Sequence, residues 1–486
     1  MLDSSAEAYK PLLQDAMGDR PNVEIIPRDG LVWSQLKEVF ASHIDPYHPQ
    51  VARPKPGSSE VPQRNDMLLV TANLTTFPKR SIFSFDSLAT MVLYQLLSSI
   101  RTSTLFQRYG CVRMLLWAND ENKRPLVPRS VLQRKRVGFE AEISCDWIHE
   151  VAGYDYVDPA TARLYLRDEW LNLESAATTL RRMEQAGIPI IPGRETELLS
   201  TVLADPDLRN GVGKLAGHRP PDIRRPFKAE LEELQARELQ DEQDLKRLSA
   251  LKFRETYDTG DSKFYLELLQ LKESAMGMDP TSPEFRALDE AFDSHIENLK
   301  KNRRQDFGVI RDNYHHFRHN PFPTLLWDRR ATEPLAVDPA TEFYPNTPAC
   351  LLDIQPKPMN PLFRQYGPGT SRSGDVSDVL LRLAFSNLNW PIEDRAMDTF
   401  WPGFKDMAGV CPSLRDAQRG GSPLSGRGAL TLRAMNETHW AELMQTWLDW
   451  PFRPSYEAML GRLTEDVSYG DGEDNVTGGG GVGVMP

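Results

Sequence analysis

Four cysteines in 486 residues, Cys111, Cys145, Cys350 and Cys411, are too few and too widely spaced to form a C-x-x-C pair. That excludes a zinc ribbon and a disulfide framework, and it suits a reducing compartment or an organelle interior. No stretch approaches the roughly 18 uninterrupted apolar residues of a membrane-spanning helix, so no membrane is expected as a partner. Cations are in the minority: 57 Lys and Arg stand against 69 Asp and Glu, a net charge of -12. A chain that coats nucleic acid with its whole surface carries the opposite sign, so any such binding must come from local patches. No G-x-G-x-x-G occurs in the first 150 residues and no G-x-S-x-G nucleophile motif is present. Gly211-Val212-Gly213-Lys214 follows no strand and lacks the phosphate-loop spacing, so it reads as a loop. The N-terminus has no basic segment leading into an apolar one, and Asp3, Glu7, Asp15 and Asp19 break up any acid-poor transit helix. It reads like the interior of a domain, with Tyr9, Leu12, Leu13 and Ala16 on one helical face and Gly18 closing it.

What is present is core-forming material. Hydrophobic residues make up 40% of the chain, enough to bury a core, and the length suits about two to three domains. Val23–Ile26 reads as a short strand ending in the turn Arg28-Asp29-Gly30, and a helix is expected over Ser34–Ala41. Prolines 46, 49, 54, 56 and 62 mark an exposed loop. Met67–Thr71 is a continuous apolar run, the pattern of a strand buried on both faces. Leu88, Met91, Val92, Leu96 and Ile100 line one face of a helix, with Asp86 as its N-cap. Cys111–Trp117 is a second buried strand, and Val137–Ile143 with Trp147–Val151 looks like a closing hairpin. Strands alternating with helices predict an α/β fold with a parallel sheet.

Beyond residue 153 the pattern becomes helical. Leu164–Gly187 and Glu195–Leu203 are periodic, and Lys228–Tyr257 reads as one long helix with Leu231, Leu234, Leu245 and Leu248 on a stripe. Glu238 and Asp241 interrupt its heptad, which argues against a coiled coil. Residues 331–370 are punctuated by proline and are expected to run extended over the surface. Val376–Asn387 and Glu437–Leu448 are amphipathic helices. The expected organisation is therefore an α/β domain over 1–153 and a helical domain over 154–465. The second carries a charged insertion near 205–330, and a Gly-rich disordered tail follows at 466–486.

In open parallel sheets ligands sit beyond the carboxyl ends of strands, so residues just after each strand carry the chemistry. Asp3, placed after whatever strand precedes Met1, can bind a ribose hydroxyl pair. Asp29 follows Val23–Ile26 and can accept from an exocyclic amine. Asn73 follows Met67–Thr71, and its amide can both donate to and accept from an amino group that attacks a methyl donor. The plainer alternative is that Asp29-Gly30 is only a turn and Asn73 only a helix-entry cap.

The ordered succession of LDSSAEAYKPLL (2–13), NVEIIPRDGLVW (22–33), MLLVTANLTTF (67–77), LFQRYGCVRMLLW (105–117) and ISCDWIHEVAG (143–153) resembles the adenine-N6 dimethyltransferase family of ribosomal RNA. LLRLAFSNLNWPIEDRAMDTFWPGF (380–404) and HWAELMQTWLDWPFRPS (439–455) extend the likeness. Within that family it is most similar to the fungal mitochondrial branch, the mitochondrial transcription factor B proteins. The resemblance implies a class I methyltransferase-like sheet, here lacking its first strand and glycine-rich turn, as in an N-terminally truncated chain, plus a helical C-terminal domain. It implies S-adenosylmethionine as cofactor, with Asp3 on the ribose, Asp29 on the adenine and Asn73 in the catalytic N-L-P-[YF] loop. Thr75 and Thr76 replace the proline and aromatic of that loop, and Phe77 lies one residue too far, so the stacking aromatic that orients the target adenine is displaced. By the same resemblance the chain is a monomer of the mitochondrial matrix whose partners are the mitochondrial RNA polymerase and promoter DNA or ribosomal RNA.

Two charge runs bear on nucleic acid. Lys123, Arg124, Arg129, Arg134, Lys135 and Arg136 form an acid-free stretch leaving the carboxyl end of Cys111–Trp117, on the same rim as Asn73. Phosphates held there would be fixed near the base-handling loop. Lys300, Lys301, Arg303, Arg304, Arg311 and Arg318, interleaved with Tyr314 and Phe317, can grip unstacked strands, although a basic surface helix looks the same. His315, His316 and His319 lack the Cys or carboxylate that completes a metal site. Two functional expectations follow: a non-catalytic factor holding melted promoter strands, or an enzyme dimethylating adenines of small-subunit ribosomal RNA. The altered loop after Asn73 favours the first.

Overall fold

The structure is a computed structural model, and it describes residues 6–17, 23–51, 61–75, 87–154, 167–209, 215–238, 241–318, 322–344, 346–367, 369–386, 390–393, 398 and 403–461. Helix α1 spans Ala6–Met17 and α2 Trp33–Val39, the latter widening into a further turn to Ile44. Strand β1 (Arg64–Asn73), helix α3 (Leu88–Thr102), strand β2 (Cys111–Asn119), helix α4 (Arg136–Ser144) and strand β3 (Cys145–Gly153) then alternate. The helical part contains α5 (Glu169–Ala186), α6 (Pro226–Ala236), α7 (Glu242–Met276), α8 (Pro283–Glu297) and α9 (Lys301–Phe317). Two late strands, β4 (Leu335–Ala336) and β5 (Ala349–Pro356), precede α10 (Ser373–Ser386) and α11 (Glu437–Asp449).

The strands form one sheet in the order β1-β2-β5-β3-β4. β1 and β2 are parallel with α3 between them in sequence, as a crossover requires, and Asn73 lies opposite Trp117. β5 is antiparallel to both β2 and β3, and β4 is parallel to β3. The fold is thus α/β with a mixed sheet, which corrects the expectation of an all-parallel one. The cause lies at β4: it pairs with Ala152 and Gly153 at the carboxyl end of β3, and the chain re-enters from that same edge, so β5 can only run back. β5 also corrects the surface assignment of 331–370. Pro348 and Pro356 bound a proline-free run, Ala349–Gln355, whose residues Cys350, Leu352 and Ile354 are fully buried at the middle of the sheet. Proline here punctuates the ends of a strand and leaves its interior donors intact.

One face of the sheet carries the main core. Met114, Leu116, Ile148, Leu352 and Ile354 pack with Val92, Leu93 and Leu96 of α3, Phe139 of α4, Val376 and Leu380 of α10, and Trp440 of α11. Residues from 74 to 148 and from 326 to 459 therefore share one interior. Each of those aliphatic side chains contributes about 1.5–3 kcal/mol by leaving water. The turn into β2 depends on Gly110: its φ is +107°, and a Cβ there would stand 2.6 Å from the Gln63 carbonyl oxygen. All four cysteines are buried and free, and burial pushes Cys145 up to about 12 and Cys111 to about 11, so they serve as small apolar residues.

Other expectations change in tertiary context. β1 is an edge strand with alternating burial, Met67 and Leu69 being 83% and 57% exposed, and it is not enclosed on both faces. Residues 137–143 are helical: the V-x-F-x-A-x-I alternation mimics a strand, but the i,i+4 pair Arg136–Glu140 and the burial of Glu142 beside Phe139 belong to a helix. Val23–Ile26 joins no strand of the described sheet, although Ile26 makes a bridge. The stripe at 231–248 is split between α6 and α7, which fold back on each other where Asp241 caps α7, so Phe227, Leu231, Leu234 and Leu251 form a local core. Ser87 caps α3 by accepting from Thr90 N at 3.1 Å; Asp86 lies outside the described residues. So do Asp3, Gly211–Lys214, His319 and the tail beyond 461.

α5 is fastened to the rest of the helical part by Asp168, which caps it and accepts from Tyr314 Oη at 2.6 Å and Asp222 N at 2.8 Å. Burial raises this carboxyl to about 6, against those hydrogen bonds. A carboxyl raised on folding stabilises most when protonated, so its contribution is complete below pH 4 and is lost as pH rises through about 6. The expected result is that Asp168→Asn flattens the pH dependence of the urea midpoint between pH 4 and 7; an unchanged slope would place the titration elsewhere.

Candidate functional site

β1 and β2 end, and β5 begins, at one edge of the sheet. There a cavity of about 160 Å³ is lined by Asn73, Thr75, Trp117, Phe343, Tyr344, Thr347 and Ala349. The parallel register puts Asn73 beside Trp117, and Leu74 N donates to Trp117 O at 2.8 Å, which fixes the two strand ends together. Trp117 and Phe343 meet edge to face, with centroids 5.7 Å apart at 74°. Tyr344 is fully exposed next to them. An aromatic pair with a third ring free in solvent is a surface on which a planar group can stack.

Asn73 itself is partly committed. Its Oδ1 accepts from Thr75 N at 3.0 Å and Thr75 Oγ1 at 2.7 Å, a local turn of the kind asparagine favours. Both lone-pair directions of the carbonyl oxygen are therefore used, while the Nδ2 hydrogens have no acceptor among the described residues. The side chain offers donors to a ligand, which suits a base carbonyl or ring nitrogen and does not suit an exocyclic amine.

The acid-free run 123–136 does not form a free cationic rim. Lys123 is buried between Asp120 and Glu150; burial would push it down, and those carboxylates overcome this and hold it raised. Arg124 pairs with Asp120, and Arg129 lies 4.0 Å over the Trp327 ring and 3.6 Å from Glu150. Arg134 has no exposed surface, holding Glu142 through Nε at 2.9 Å and Nη2 at 2.6 Å and the carbonyls of Arg433 and Met435 at 2.6 and 2.9 Å. Arg136 is held by Glu140, Asp378 and the Tyr94 hydroxyl. Lys135 remains exposed. Acids absent from the run itself arrive from α4, β3 and α10, so in place of the expected free rim the run presents paired cations, Lys135 apart.

The second basic segment has the same fate. Arg303 pairs with Asp261, Arg304 donates to the Glu297 and Leu299 carbonyls, Arg311 pairs with Asp312 and Arg318 with Glu174, while Tyr314 and Phe317 are buried. Only Lys300 and Lys301 of that set are exposed. The imidazoles of His315 and His316 bond the Gly420 and Arg433 carbonyls. No cluster of metal-ligating side chains is found among the described residues.

Of the residues that the resemblance assigns to S-adenosylmethionine, Asp3 lies outside the described residues, and Asp29 and Asn73 stand apart. Asp29 anchors the turn before α2: Leu31 N donates to its Oδ1 at 2.8 Å, and its own N donates to Gln35 Oε1 at 2.7 Å. It does not line the cavity that holds Asn73.

No protein-family model, curated protein or solved structure matches this chain. No helix among the described residues is long and apolar enough to cross a membrane.

What sequence reasoning missed at this site is its aromatic content. Trp117 was legible only as the last residue of a buried strand, and the alternate burial that leaves its ring part-exposed is seen in the structure. Phe343 and Tyr344 come from a proline-rich stretch more than 200 residues away, and no local signal links them to Asn73.

Proposed function

We propose that this chain is a nucleic-acid-binding factor that holds separated strands at the carboxyl edge of its sheet without modifying them. In this reading it assists the mitochondrial RNA polymerase at promoters, in the mitochondrial matrix, with a degenerate methyltransferase-like sheet, as its resemblance to the transcription factor B branch implies. The observation that carries the reading is the set Trp117, Phe343 and Tyr344 beside an Asn73 whose carbonyl oxygen is already occupied. Stacking on aromatic side chains is tolerant of sequence and contributes about 1–3 kcal/mol per base. Methyl transfer to an adenine amino group requires an acceptor to hold and orient that group, and Asn73 Oδ1 is bonded to Thr75.

The test is fluorescence anisotropy with a single-stranded oligonucleotide and its duplex. Tyr344→Ala removes a ring that contributes nothing to the core, so stability stays unchanged while single-strand affinity falls about tenfold, the effect of about 1.4 kcal/mol. Affinity that survives both Tyr344→Ala and Trp117→Ala would end the proposal. Tritium from S-adenosylmethionine appearing on a ribosomal-RNA hairpin would turn it toward the adenine-N6 dimethyltransferase reading.

A further inference from the structure

A second cavity, of about 310 Å³, opens in the helical part between α7, the end of α9, the turn at Ala216-Gly217 and residues 417–420. Its lining carries Lys272, Arg311 and Arg318 against a single carboxylate, Glu273. The acids nearby are already engaged, two of them by these same arginines, and none reaches Lys272. Asp312 takes Arg311 and the Thr431 hydroxyl, Glu174 takes Arg318 and the N–H groups of Leu215 and Ala216, and Asp168 takes Tyr314. Lys272, 8% exposed, makes one long contact, 3.4 Å from Nζ to His315 Nδ1. His315 Nε2 lies 2.7 Å from the Gly420 carbonyl and donates to it, which leaves Nδ1 as the lone-pair acceptor facing the lysine. A lysine ammonium has three donors, so a buried one with a single weak acceptor is under-satisfied. The rest of the wall is apolar, from Leu269, Met276, Ala216 and Ala417.

We propose that this cavity binds a small phosphorylated molecule, its phosphoryl oxygens on Lys272 with Arg311 and Arg318 alongside, its carbon skeleton against Leu269 and Met276. A phosphoryl group supplies several acceptors and more than one negative charge at one point, which is what Lys272 lacks beside two guanidiniums already paired with Asp312 and Glu174. The volume falls at the lower end of the range for small-molecule sites, and the apolar wall with few placed polar groups is their usual composition.

Electrostatics give the proposal a distinctive readout. Burial, followed by the charge of Arg311, lowers Lys272 to about 7, with Asp312 opposing; Glu273, His315, Tyr314 and Arg318 are the other titratable and charged groups lining the cavity. An anion beside Lys272 reverses that depression, so binding above neutral pH takes up a proton.

The probe is inorganic pyrophosphate on the full chain. Calorimetry at pH 8 in two buffers of different ionisation enthalpy is expected to show binding with proton uptake, and Lys272→Met to weaken it at least about tenfold. The variant removes a desolvated amine of similar length, so its urea midpoint does not fall. On the unaltered chain, pyrophosphate is expected to slow reductive methylation of Lys272 several-fold, read by mass spectrometry, which keeps the test independent of the variant's folding. Labelling of Lys272 that is equal with and without pyrophosphate overturns the proposal. So does protection by citrate where pyrophosphate gives none, which would make the site one for carboxylates.

Discussion

Arg134→Ala is expected to remove about 3–5 kcal/mol of stability, the range for breaking a buried ion pair by deleting one partner. The guanidinium is wholly enclosed, spends its donors on Glu142 and on two main-chain carbonyls, and sits 5.2 Å from the Phe139 ring. Without it, Glu142 on α4 is left buried and charged, the Met435 carbonyl loses this donor and the Arg433 carbonyl keeps only His316 of the two, which loosens the segment leading into α11. Lysine is no substitute, because a point charge cannot serve a bidentate carboxylate and two carbonyls together. The double change Arg134→Met with Glu142→Leu removes both charges and is expected to recover most of the loss. Urea denaturation of the three proteins measures this. If instead Arg134→Ala melted like the parent chain and reduced the salt dependence of single-strand binding, Arg134 would be a phosphate ligand after all.

The second large effect is expected at Asp328. Its carboxylate accepts from Arg167 through Nη2 at 2.6 Å and Nη1 at 3.1 Å and from Ser175 Oγ at 2.7 Å, with 2% of its surface exposed. Arg167 precedes α5, Ser175 lies within it, and Asp328 belongs to the 322–336 segment that leads to β4, so one carboxylate joins three stretches of chain. Arg330 reinforces the joint through the same Ser175 hydroxyl and Glu333. Asp328→Ala leaves Arg167 charged and enclosed, and about 3–5 kcal/mol is expected to go. Asp328→Asn keeps the shape but supplies one acceptor oxygen to a fork that needs two, and is expected to be nearly as damaging. A shift of the urea midpoint no larger than that of an exposed ion-pair mutant would show that the joint is carried by packing alone.

Much of the secondary structure was legible locally. The 3.6-residue periodicity of 88–100 and 437–448 appears as α3 and α11, and the apolar run Cys111–Trp117 as β2. Where the reading failed, the competing signal was also local. The alternating apolar residues of 137–143 fit two periods, and the Arg136–Glu140 pair with the reach of Glu142 toward Arg134 selects the helix. The prolines of 331–370 were read as breakers although the seven residues between two of them are the centre of the sheet. Asn73 was legible as a strand-end residue at the carboxyl edge, but its hydrogen-bond capacity was not, because whether Oδ1 faces a ligand or Thr75 depends on how the chain turns at Leu74.

Taken alone, the sequence determined that this chain builds strands and helices in alternation around an apolar interior, and that Asn73 stands at a strand end. These are properties of residues within a few positions of one another. The tertiary structure decided which charges are available and which rings meet. Arg134 finds its carbonyl acceptors 299 and 301 residues away, and Arg113 its carboxylate 240 residues away, in β5. An acid-free run in sequence becomes neutral in space because buried cations are retained only beside acids brought by other elements, and Trp117 acquires Phe343 because β5 must enter the sheet from the edge where β2 leaves it.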